Sequence, residues 1–263
     1  MSQTPYPSPG DHAIFPPWHL PMWNAVDDRV RGGSSISHLD PIKVSLHSDS
    51  EKRKIVNGAR FWGNLDIKTL GGAGFASQRH MFGPLPLHLP GLEYQGFRLS
   101  LYPDTALSSG SDHPRTFTLA LKTTINTTPP SDPKTPPTPE PASLVYEANF
   151  TSPHAKSGTD EISIAFQDFK PMYRGKEVAT DDPLYKPLIS ESIYEMSLMC
   201  RSGFGDQYGE FGIVLLGIAG WAKINEASRG QGWWEWLESM WGAVRSWVWG
   251  GRVKLEDEKR WPA

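Results

Sequence analysis

The feature that most constrains this chain is a two-residue rhythm of apolar side chains, repeated in short runs. In Gly96–Tyr102, residues Phe97, Leu99 and Leu101 fall on one face, and in Thr116–Thr123 residues Phe117, Leu119 and Leu121 do the same. Looser versions occupy Arg60–Ile67, Leu144–Phe150, Glu161–Phe166, Ile193–Met199 and Phe211–Ile218. A strand turns successive side chains to opposite faces, so each run predicts a strand with one face buried and one outward. Seven such runs, separated by turn residues and without a long helical period among them, predict an all-β fold of two packed sheets, a β-sandwich or jelly roll. The glycines inside the last run predict a bulge or the close approach of another backbone.

Composition agrees with that reading and narrows the function classes. The 263 residues include 25 Gly and 24 Pro, a content that suits many turns. Lys plus Arg number 26 against 29 Asp plus Glu, a net charge of −3, which gives no footprint for nucleic acid. The single Cys200 excludes an internal disulfide and an all-cysteine zinc cluster. It sits in a strand-like run and reads as a small buried apolar residue, not as a nucleophile. The eight histidines are scattered singly, so no metal site is expected. No nucleophile elbow, P-loop or dinucleotide fingerprint occurs, and the chain reads as a non-enzyme without a cofactor.

Organisation along the chain follows from breaks in the pattern. Residues 1–17 are proline-rich, with no Lys or Arg before Arg29, and lack the form of a secretory signal or transit peptide. They read as an extended segment of an intracellular chain. Residues 18–225 read as one sandwich domain. Within it, residues 126–143 carry seven prolines between 129 and 141 and read as a solvated loop inserted between two strands. No apolar run is long enough for a transmembrane helix.

Residues 230–263 change character, holding seven of the eleven tryptophans. Within 232–249, Trp233, Trp236, Leu237, Met240, Trp241, Val244 and Trp247 recur at helical spacing, which predicts an amphipathic helix followed by a charged tail. Its apolar stripe has three readings: packing on the sandwich, binding a protein partner, or lying in a membrane surface as a peripheral contact.

Two clusters are denser than their surroundings. The first combines Trp23 with Asp27, Asp28, Arg29, Gly32, Gly33 and Ser35. Paired aspartates accept backbone hydrogen bonds and brace turns, or ligate a hard cation, and the glycines allow positive φ or close contact. The second comprises Asp168, Phe169, Pro171, Arg174 and Gly175, which reads as a strand exit held by an arginine–carboxylate fork. Structural bracing is the favoured reading of both.

With Gly74, Phe75, Ser77 and Arg79 between them, these clusters carry a resemblance. In order, a D-x-V-x-G-G-x-S loop at Asp28–Ser35, a G-F-A-S-x-R strand at Gly74–Arg79 and a D-F-x-P-x-x-R-G turn at Asp168–Gly175 resemble the complex I intermediate-associated protein 30 family over about Trp18 to Ala222. That resemblance implies a galactose-binding-like jelly-roll sandwich. It also implies a non-enzymatic assembly factor that binds protein partners while mitochondrial NADH:ubiquinone oxidoreductase is built. It carries no catalytic residues. The address it implies is the mitochondrion, with the cytoplasm as the alternative. The alternative function is a jelly-roll module, acting outside mitochondria, that binds protein or carbohydrate, with Trp23, Trp62 and Tyr173 as residues that would stack on a sugar ring.

Overall fold

The computed structural model describes residues 7–46, 54–107, 113–125, 142–152 and 158–223. The expected Trp-rich helix and residues 126–141 of the proline-rich segment lie outside these. The chain divides into two units, Met1–Lys223 and Ile224–Ala263. All thirteen strands described below belong to the first.

The strands are β1 (His12–Phe15), β2 (Trp23–Ala25), β3 (Ile36–Leu46), β4 (Lys54–Leu65), β5 (Phe75–Met81), β6 (Tyr94–Tyr102) and β7 (Thr116–Lys122). They continue with β8 (Val145–Thr151), β9 (Asp160–Ala165), β10 (Lys170–Tyr173), β11 (Lys176–Glu177), β12 (Glu195–Arg201) and β13 (Gly209–Ala222). Every apolar run read from the alternation became one of them. They form two antiparallel sheets. The first runs β3-β4-β13-β6-β9, with β1 also paired to β13, and the second runs β11-β10-β8-β7-β12-β5-β2.

The sheets face each other through the residues that the rhythm singles out. Phe97, Leu99 and Leu101 of β6 and Phe117, Leu119 and Leu121 of β7 are completely buried in one core, with Phe61 of β4 and Phe211 of β13. Phe61, Phe117 and Phe211 meet one another at centroid separations of 5.2–6.2 Å, within the range where edge-to-face ring contacts are favourable. Cys200 of β12 lies in the same core. Burial pushes its thiol well above the ordinary range, so it stays a neutral apolar group.

Two departures from simple alternation have physical causes. β13 is buried on both faces, because Val214 and Leu216 point away from the main core into a second small cluster with Val44. Its register against β6 shifts between Leu215 and Gly217, a bulge where the glycines of this run predict one. β3 escapes the rhythm because it is an edge strand with polar exposed residues and a proline at 41, which an edge tolerates. β1 comes from the proline-rich start. It pairs with Ile218–Gly220 of β13 and sends Phe15 onto Trp18 and Trp23 in the core.

Candidate functional site

The adjacent Asp27 and Asp28 follow β2, and Asp28 opens a short 3-10 turn over Asp28–Arg31. Both are almost fully buried. Successive side chains diverge, so the two carboxylates serve different partners. Asp27 Oδ1 accepts the Ser37 hydroxyl at 2.5 Å and the Ser77 amide at 3.0 Å, while its Oδ2 accepts the Ser37 amide at 3.2 Å and Arg29 at 3.0 Å. Asp28 Oδ1 accepts the Ser35 amide at 2.9 Å, and its Oδ2 accepts the Ser35 hydroxyl at 2.7 Å and the Phe75 amide at 3.2 Å. Ser37 lies on β3 in the first sheet, while Phe75 and Ser77 lie on β5 in the second. The pair is therefore a clamp joining the two sheets at one edge. A buried carboxylate is tolerated because several donors replace its lost water.

The neighbouring motif residues make room for this clamp. Gly32 sits at φ 82°, ending the 3-10 turn in the left-handed region. A side chain at Gly33 would run into the Asp28 carboxylate. The Gly74 amide donates to the Ser202 hydroxyl at 2.9 Å and fixes the entry to β5. Trp23 is buried beside Phe15, Trp18 and His80.

The third motif lies at the far edge of the second sheet. Asp168 accepts the Ala165 amide at 3.0 Å and closes a 3-10 turn, and Phe169 enters the core. Pro171 lies on β10 opposite Tyr146 of β8. Arg174 and Gly175 form the two-residue turn between β10 and β11, with φ of 51° and 77°, the signature of a type I′ hairpin. The expected arginine–carboxylate fork is not what these residues form. Asp168 is spent on its own turn, and the Arg174 guanidinium lies over the Tyr173 ring at 5.5 Å. Nor do the three aromatics named for sugar stacking gather. Trp23 is in the core, Trp62 stacks on His38 on the first sheet, and Tyr173 is on β10.

Between the clamp and the hairpin lies a groove of about 570 Å³, floored by the outward face of the second sheet. Motif residues stand at both ends of it: Arg31, Gly74, Phe75 and Arg79 at one, Arg174 and Gly175 at the other. Three stretches far apart in sequence thus border one concavity. Its middle comes from residues that the sequence reading did not single out. Lys122 Nζ of β7 donates to Glu195 Oε2 of β12 at 3.0 Å, and Arg79 of β5 approaches the same oxygen at 3.8 Å. Arg201 of β12 reaches across β7 to pair with Glu147 of β8. Met172, Met199, Val145 and Ala120 supply apolar floor. The signal for Lys122, Glu147 and Glu195 was present as polar alternates of their apolar runs, opposite the core face. Among the described residues no group of three or more His, Cys, Asp or Glu is placed to hold a metal ion. Among them, too, no helix is long and apolar enough to cross a membrane.

The model of the family described as complex I intermediate-associated protein 30 matches residues 14–215. The chain belongs to that family. The match spans both ends of the groove and every strand from β2 to β12. An uncharacterised protein of the fission yeast Schizosaccharomyces pombe is 38% identical over 201 residues, covering 76% of this family member and 78% of that protein. Among solved structures, an exo-β-agarase aligns with 81% of this family member at 11% identity and a TM-score of 0.35. The chain spans 26% of that enzyme, and likeness at this level says nothing of ligand or chemistry.

Proposed function

We propose that this protein is a non-enzymatic, chaperone-like assembly factor that binds protein partners while mitochondrial NADH:ubiquinone oxidoreductase is built. The observation that carries the reading is the family match over residues 14–215, which takes in the whole bordered groove. The site supports it in a second way. The buried carboxylates are engaged by protein donors that brace the fold, and the one cysteine is a neutral core residue. What the molecule offers instead is a rigid sheet face between two fixed ends, a surface suited to holding a partner. On this reading residues 232–249 add a further contact, with a partner or a membrane surface.

The test is depletion of the protein followed by native gel separation of respiratory complexes. The expected result is loss of the mature NADH:ubiquinone oxidoreductase, accumulation of its subassemblies, and recovery when the full chain is re-expressed. Normal complex levels after complete depletion would sink the reading.

A further inference from the structure

The groove has a charge of its own. Among the described residues that line it, Arg31, Arg79, Lys122, Arg174 and Arg201 face only two carboxylates, Glu147 and Glu195. This is a cationic concavity in a chain whose net charge is −3. The two carboxylates are engaged in the middle by Lys122 and Arg201. Arg31 and Arg174, at opposite ends, are both exposed and make no ion pair among the described residues. Each lies over an aromatic ring, Phe75 at 5.6 Å and Tyr173 at 5.5 Å, a cation–π contact that steadies the guanidinium.

Between these ends the floor mixes the two central ion pairs with apolar side chains. Met172, Met199, Val145 and Ala120 line it, and methionine adapts its shape to varied apolar partners. At the rim Phe204 is 89% exposed and held at φ 65°, a backbone state that a bulky residue enters only when its loop imposes it. The floor crosses β5, β12, β7, β8 and β10. With neighbouring strands ~4.8 Å apart the span is about 19 Å, the length of roughly six extended residues.

We propose that this groove binds an extended acidic segment of a partner protein, with carboxylates meeting Arg31 and Arg174 and alternate apolar side chains resting on the methionine floor. The proposal rests on the assembly reading and names the chemistry of the partner. A neutral sugar would use neither the surplus of cations nor the thioethers, and the aromatics that would stack on it are dispersed.

The experiment uses the purified full chain and a fluorescein-labelled peptide of about ten residues alternating Glu with Leu or Val, a length that covers the span with some excess. A second peptide carries Gln for every Glu. Anisotropy is read for the native chain and for the double variant Arg31→Glu, Arg174→Glu. Both substituted residues are exposed, and circular dichroism checks that the variant is folded. The expected result is binding of the acidic peptide alone, weakened roughly tenfold in the double variant and weakened by added salt. Equal binding of the two peptides, or an unchanged double variant, overturns the proposal. Complete displacement of the peptide by an equal concentration of citrate overturns it in favour of a small anion, and displacement by a neutral β-linked glucan in favour of a sugar. Re-expressing the double variant in depleted cells separates the two readings. If the native chain restores the respiratory complex and the double variant does so equally, the groove proposal fails and the assembly reading stands. If the native chain itself restores nothing, the assembly reading fails.

Discussion

At the scale of single residues, the buried carboxylates are the points on which most hangs. Removing the Asp28 side chain leaves the Ser35 amide, the Ser35 hydroxyl and the Phe75 amide without their acceptor between the sheets. Hydrogen bonds to charged groups contribute ~1.5–3 kcal/mol each, so Asp28→Ala should destabilise the fold by about 3 kcal/mol, read from urea unfolding. A loss below about 0.5 kcal/mol, the size expected of a surface change, would contradict the clamp. His80 gives a pH-dependent test. It is packed among Phe15, Trp23 and Phe82, and burial, aided by nearby His19, holds its ring below its ordinary value of 6.5. The unfolded chain therefore takes up a proton that the folded chain resists. The stability tied to this ring is complete above pH 6.5 and declines as pH falls below that value. His80→Gln removes the titration, so the stability advantage of the native chain over the variant should shrink between about pH 7.5 and 5.5. An advantage that stays constant over that range would show that the ring does not couple to folding. Asp27, Asp28 and their glycines were legible in the sequence as a bracing cluster. That Asp27 serves Ser37 and Ser77 while Asp28 serves Ser35 and Phe75 was not, because those partners lie 7 to 50 residues away.

At the scale of elements, alternation succeeded for strands whose inward face is a run of large apolar side chains. β6 and β7 are the clearest cases, with Phe97 to Leu101 and Phe117 to Leu121 inward. It failed for β1, β2, β10 and β11, which are too short to show a period, for the edge strand β3, and for β5, whose inward face carries Ala76 and His80 in place of a run of large apolar residues. The β7–β8 pair yields a prediction. Their register places Leu121 opposite Tyr146, so the ends of the two strands adjoin and need little chain to connect them. Replacing residues 126–141 by a short turn should leave the fold intact and change stability by less than about 1 kcal/mol, since loop closure depends only weakly on length. Loss of the urea transition in that variant would mean that the insertion contributes to the core.

At the scale of the whole molecule, one continuous core joins both sheets, and β13 pairs with β1, β4 and β6 at once. A chain ending at Lys223 should therefore unfold in a single cooperative transition, with fluorescence and circular dichroism giving the same midpoint. Separate midpoints would mean that the sheets unfold independently. The sequence alone determined the all-β class, seven of the strands with the inward faces of β6 and β7, and the family, because these reside in local periodicity and in short ordered motifs. Only the tertiary structure decided that Asp27 and Asp28 tie one sheet to the other, that the first and third motifs stand at opposite ends of one groove, and that its middle is Lys122, Glu195, Arg201 and Glu147. Which outward side chains share a concavity depends on strand order, and strand order is set by pairings between residues distant in the chain, which no local pattern records.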